Sequence, residues 1–225
     1  METFRTEEEQ VEAIKRWWQE NGKSTVFGIG LALAIVFGWK GWQGHTKDQA
    51  AQASAIFDNL MVADAAVQRD GTSRSTAEHL ASTLKDQYAN LSYGQFAGLY
   101  KAKYAVQDGE YDIAASELEW VLDQGPDPVI KAQTQVRLAQ VRFALDDFPA
   151  ALALLDAAAS SGYAAQAAEL RGDILFSQGD SAAALSAYQQ AKVLAREQEV
   201  PSNNALLDLK INDLNAAVTT EKGTN

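Results

Sequence analysis

The chain has no cysteine and only two histidines, and basic residues are well outnumbered by acidic ones. Without cysteine an oxidising compartment is tolerated and no thiol nucleophile exists. His45 and His79 each stand without a second nearby ligand, and there is no His-Glu-x-x-His pair and no Gly-x-Ser-x-Gly elbow. Gly22-Lys23-Ser24 resembles the end of a phosphate loop, but Trp17 stands where the loop needs its first glycine and no strand precedes it. The carboxylate pair Asp146 and Asp147 falls at a turn between helices, where solvated charge accounts for it. The expectation is a protein that is not an enzyme and takes no cofactor or metal. Net charge is −11 over 225 residues. Beyond residue 42 the chain carries 14 Lys and Arg against 24 Asp and Glu. So acidic a surface argues against nucleic acid and against lying flat on anionic lipid.

One apolar run is long. Ser24 to Trp42 reads STVFGIGLALAIVFGWKGW, with sixteen uncharged residues between Lys23 and Lys40. As a helix those residues span ~24 Å, slightly less than a ~30 Å hydrocarbon core. Lys23 and Lys40 can snorkel at the ends, and Trp39 and Trp42 suit the headgroup level. A buried core helix fits less well, because nothing polar interrupts either face. A cleaved signal peptide fits less well too, because a Glu-rich segment precedes the run and the small-x-small site Ala53-Ser54-Ala55 lies far beyond it. The run reads as a transmembrane helix over 24–42. Arg5, Lys15, Arg16 and Lys23 precede it, while Lys40 and Lys47 follow, which favours an N-terminus inside.

Residues 1–23 read as a short cytosolic amphipathic helix. Thr6 would cap it, Glu7, Glu8 and Glu9 complement its dipole, Val11, Ile14, Trp17 and Trp18 recur at helical spacing, and Gly22 would end it. Within the membrane helix Gly30, Ala34 and Gly38 form a small-residue stripe of the kind that lets a second membrane helix approach closely.

After the anchor, residues 43–225 read as one all-α domain. Residues 49–92 form a helical hairpin: Ala53, Ile56, Phe57, Leu60, Met61 and Asp64 recur on the first helix, Gly71 closes it, and Leu80, Leu84 and Tyr88 mark one face of a second helix over 76–90. Residues 93–197 then repeat three times. DGEYDIAASELEWVL, LDDFPAALALLDAAA and QGDSAAALSAYQQAK align on one another. Gly109, Asp146 and Gly179 hold the turn, followed by Tyr111, Phe148 and Ser181, then Ala114, Ala151 and Ala184, then Leu118, Leu155 and Tyr188. Upstream, Ala102, Ala139 and Gly172 take the small position of the first helix. The three alanines are spaced near the 34-residue tetratricopeptide period. Pro126 falls where a repeat ends, Pro201 in the link before a capping helix over 203–218, and a tail begins at Gly223. The expected fold is therefore all-α: one N-terminal transmembrane helix and a tetratricopeptide-like solenoid of helical hairpins.

The strings EEQVEAIKRWWQENGK at 8–23, GWKGW at 38–42, GYAAQAAELRGDILFSQGD at 162–180 and LKIND at 209–213 resemble the YfgM-like family of ancillary SecYEG translocon subunits, and the resemblance covers essentially the whole chain. It implies an inner-membrane protein with its N-terminus in the cytoplasm and its domain in the periplasm. It implies the SecYEG translocon and the membrane-anchored periplasmic chaperone PpiD as partners, and a role in passing emerging proteins to periplasmic chaperones. It supplies no catalytic residues.

Stacked helix pairs present their first helices on a concave face. By the repeat alignment the inner positions are Phe96, Leu99, Lys103 and Val106, then Gln133, Val136, Gln140 and Phe143, then Gln166, Glu169, Asp173 and Phe176. The mixture suits weak binding of extended or unfolded client chains, although each apolar member could equally be packing. Phe96 and Phe143 are the expected apolar contacts. An envelope scaffold unrelated to export would need the same anchor and solenoid, as would a regulator acting through the cytosolic end. If the small-residue stripe meets a membrane partner, Gly30→Leu with Gly38→Leu should lower recovery of that partner on purification in mild detergent, and unchanged recovery would remove the stripe from any interface.

Overall fold

The computed structural model describes residues 7–197 and 204–223, and within them every regular element is an α-helix. They form α1 (Glu7–Asp70), α2 (Arg74–Gln87), α3 (Ser92–Gln107), α4 (Tyr111–Asp123), α5 (Pro128–Ala144), α6 (Phe148–Ala158), α7 (Ala164–Ser177), α8 (Ser181–Glu197) and α9 (Asn204–Gly223). The chain divides into two compact units, Met1–Gln52 and Ala53–Asn225. Thr6, Arg5 and Pro201 lie outside the described residues, as do the side chains of Glu7 and Glu8.

In the first unit Gly22 does not end a helix, contrary to the expectation from its position. α1 runs through it without a break. A lone glycine costs a helix only about 1 kcal/mol relative to alanine, and no proline occurs before residue 126 to stop propagation. The Trp18 ring lies beside Gly22, 3.2 Å from where a Cβ would stand, and the Ser24 and Thr25 hydroxyls donate back to the Asn21 carbonyl at 2.9 Å. The large apolar side chains from Val26 to Trp42 are exposed, so no protein core covers this stretch. It is long and apolar enough to cross a membrane.

In the second unit, α1 from Ala53 onward and α2 pair first, with Gly71 at φ 74° ending α1. The pairs α3/α4, α5/α6 and α7/α8 follow, and α9 packs on α8. The turn within each of these three pairs is the same object. Gly109, Asp146 and Gly179 adopt φ 77°, 57° and 84°. The next amide in each case donates five residues back, Glu110 to Ala105, Asp147 to Arg142 and Asp180 to Leu175, at 2.8–3.0 Å. This is the left-handed stop that satisfies orphan carbonyls at a helix C-terminus. Asp147 and Asp180 then cap the following helix, each accepting from an amide three residues on.

Four apolar layers follow one another, and each is shared by neighbouring hairpins. Ala114, Ala151 and Ala184 are fully buried, and Ala102, Ala139 and Gly172 lie under the neighbouring helix. The third copy differs in a compensated way. Tyr188 replaces the leucine of the first two copies, and a Cβ on Gly172 would run into the Tyr188 ring. Alanine serves opposite leucine; only glycine leaves room for tyrosine. The link and cap also depart slightly from expectation: α2 begins at Arg74 and ends at Gln87, and α9 continues past Val218 to Gly223.

Gly172→Ala should lower the thermal unfolding midpoint, at about 1–3 kcal/mol for an overpacked core contact. Gly162→Ala, with open space where its Cβ would stand, should stay within about 0.5 kcal/mol. Melts followed by circular dichroism separate the two.

Candidate functional site

In the second unit a surface groove opens where α1, α3 and α5 meet. Two adjoining lobes form there. One, of about 430 Å³, lies between α3, α4 and α5 and is floored by Leu99, Ala102, Val106, Leu118 and Val141. The other, of about 590 Å³, is lined from α1 by Phe57, Met61, Asp64 and Gln68 and from α3 by Phe96 and Tyr100. Leu99, Lys103 and Arg137 border both.

The expected inner positions divide into three groups. Phe96, Leu99, Lys103, Val106, Gln133 and Gln140 line the lobes. Val136, 5 % exposed, belongs to the α5/α6/α7 core, and Phe143 packs on Phe148 with ring centroids 6.0 Å apart. In the third copy Gln166 and Phe176 are exposed, while Glu169 and Asp173 accept from Lys210 of α9 at 2.9 and 2.7 Å. The open groove is thus confined to the first two copies and α1. Phe96 also packs against the α3/α4/α5 core and against Phe57, so of the two phenylalanines only Phe96 borders the groove.

Phe57, Met61, Asp64, Gln68, Tyr100 and Arg137 were not singled out as inner positions by the repeat alignment. The first four sit on α1, outside the repeats, and Tyr100 and Arg137 lie one residue beyond aligned positions Leu99 and Val136. The aromatic content of 57, 96 and 100 was the available signal, and their rings do cluster, with Phe57 5.7 Å from Phe96 and 6.1 Å from Tyr100.

Asp64 is the polar centre of this wall. It is buried, and accepts from Lys103 Nζ at 2.6 Å and from the Tyr104 hydroxyl at 2.9 Å, with Gln68 as a third donor. Burial alone would push its carboxyl up; the hydrogen bonds from Lys103, Tyr104 and Gln68 together outweigh burial and hold it below its ordinary value. Tyr104 moves the other way, upward, first through burial and then through its bond to Asp64. Lys210 at the far end is raised, because its bonds to Asp173 and Glu169 overcome the opposing effect of burial.

On the first unit, Trp17 and Trp18 have ring centroids 6.3 Å apart, and Trp39 and Trp42 5.3 Å. From Trp18 to Trp39 the helix advances ~32 Å, about one hydrocarbon thickness. Both pairs belong to one continuous helix and suit the two headgroup levels. Gly30, Ala34 and Gly38 are exposed between them, with open space where a Cβ at either glycine would stand.

Helix pairs with a common turn, a buried small residue at the crossing and a shared core between neighbours define a tetratricopeptide repeat-like protein, and the family model of the tetratricopeptide repeat-like domain matches residues 15–216. The ancillary SecYEG translocon subunit of Escherichia coli K12 is 35 % identical over 214 residues, covering 95 % of this chain and 99 % of that protein. Those of Haemophilus influenzae and Aggregatibacter actinomycetemcomitans are 30 % and 31 % identical over 208 residues, each covering 92 % of this chain and 97 % of the relative. The chain belongs to the ancillary SecYEG translocon subunit family.

Asp64→Asn should destabilise the domain by about 1–3 kcal/mol near neutral pH, the usual cost of a lost charged hydrogen bond. Because the folded pKa is depressed, that contribution is fully present above the ordinary value of 3.8 and is lost as pH falls through the lowered folded value. Denaturant titrations at stepped pH should show the gap to wild type constant at neutral pH and closing in acid.

Proposed function

We propose that the protein is a non-enzymatic accessory subunit of the Sec translocon, held in the inner membrane by α1 with its N-terminus in the cytoplasm and its solenoid in the periplasm. There the groove receives segments of emerging proteins and of a PpiD-like chaperone, and so links export to periplasmic folding. The observation that carries this reading is the open groove on α1, α3 and α5, lined by apolar, aromatic and amide side chains. It joins to the name borne by relatives that cover nearly the whole chain. The arrangement is suited to gripping protein segments, with two apolar lobes and polar groups at their shared border. The stripe Gly30, Ala34 and Gly38 supplies a face for a membrane helix of the translocon.

A photoreactive amino acid placed at Gln140, on the groove wall, should yield adducts in intact membranes with the Sec channel, with secretory chains in transit, or with a PpiD-like chaperone. Adducts confined to cell-wall synthases would overturn the reading in favour of an envelope scaffold.

A further inference from the structure

Arg137 and Arg196 are the two arginines of the solenoid without an ion pair among the described residues, and of the two Arg137 alone borders the groove. Arg74, Arg142 and Arg171 each hold a carboxylate of the same domain. Arg137 is exposed, borders both lobes, and among the described residues forms no ion pair or hydrogen bond. Its charge reaches Tyr100, whose hydroxyl pKa is pushed upward by burial and then by Asp64, while Arg137 opposes them in part. The other cation at this border, Lys103, is engaged by Asp64 at 2.6 Å. A guanidinium offers a planar fork of donors matched to a carboxylate. Here it stands between two apolar lobes on a chain whose net charge is −11.

These features work against each other usefully. The acidic surface repels a segment that is merely acidic, and a segment that is merely apolar leaves the guanidinium without a partner. We propose that the groove selects protein segments in which one carboxylate side chain is flanked by bulky apolar side chains, the carboxylate pairing with Arg137 and the apolar groups entering the two lobes. In an extended chain alternate side chains share a face, so the preferred order is apolar-x-acidic-x-apolar. The proposal rests on the groove being a protein-binding face and adds what that face recognises.

The test uses the full chain in nanodiscs of phosphatidylcholine and two labelled peptides, Gly-Phe-Ser-Glu-Ser-Leu-Gly and its counterpart with Gln in place of Glu, read by fluorescence anisotropy at low salt. Wild type should bind the Glu peptide about 10-fold more tightly, the scale of a charge-assisted hydrogen bond. Arg137→Gln should abolish that preference while leaving the Gln peptide unaffected, and Arg137→Glu should favour a Lys counterpart instead. Val106→Asp, in the α3/α4/α5 lobe, should weaken both peptides. Equal affinity of wild type for the Glu and Gln peptides, or equal losses for both in Arg137→Gln, overturns the proposal while leaving the groove as a protein-binding face. Binding of neither peptide overturns the groove reading and the proposal together.

Discussion

Close approach of helix backbones is the constraint on which the solenoid depends. Each hairpin is too thin to bury its apolar side alone, so it must share a layer with the next. Sharing requires the helices to meet at a residue without bulk. Ala102, Ala139 and Gly172 provide it on the first helices, and Ala114, Ala151 and Ala184 on the second. The third copy shows how strictly space is partitioned, since the ring of Tyr188 occupies what a methyl group at 172 would need. Interiors packed to crystal density leave no slack for such a change.

The two terminal elements of the domain are fastened by the same arrangement of carboxylate, lysine and tyrosine. At one end Asp64 of α1 meets Lys103 and Tyr104; at the other Asp173 meets Lys210 of α9 and Tyr188. In both, a lysine ammonium lies near the ring of the same tyrosine whose hydroxyl reaches the carboxylate, at 5.7 Å and 5.3 Å. A terminal helix has a neighbour on one side only, and a charged, geometrically exacting contact compensates for the missing apolar layer by fixing its placement. Between the ends, Glu117 of α4 is held by Lys85 of α2 and Lys101 of α3, stitching the first two hairpins.

Much of this was legible in the residues. The turn set Gly109, Asp146 and Gly179, the alanines five positions on, and the apolar residues four beyond them all fall where the alignment put them, because each is imposed by local geometry repeated in register. The continuity of α1 was not legible. A glycine after a helix resembles a stop, and only the absence of proline nearby and the packing of Trp18 tell otherwise. The groove was half legible. Repeat alignment selects Phe96, Leu99, Lys103, Val106, Gln133 and Gln140, which line the groove, but cannot assign a wall contributed by α1, which stands outside the repeats. The Asp64–Lys103 pair joins residues 39 positions apart, a separation no periodic pattern encodes. Nor could alignment foresee that Glu169 and Asp173 would be taken by α9.

That last contact limits the reach of the inner surface. With Lys210 occupying the third copy, a ligand finds footing on little more than two helical pairs, a stretch suited to a handful of residues. Short footprints exchange fast, since dissociation rather than encounter sets most affinity differences. In the proposed role, that brief tenure favours relay over storage.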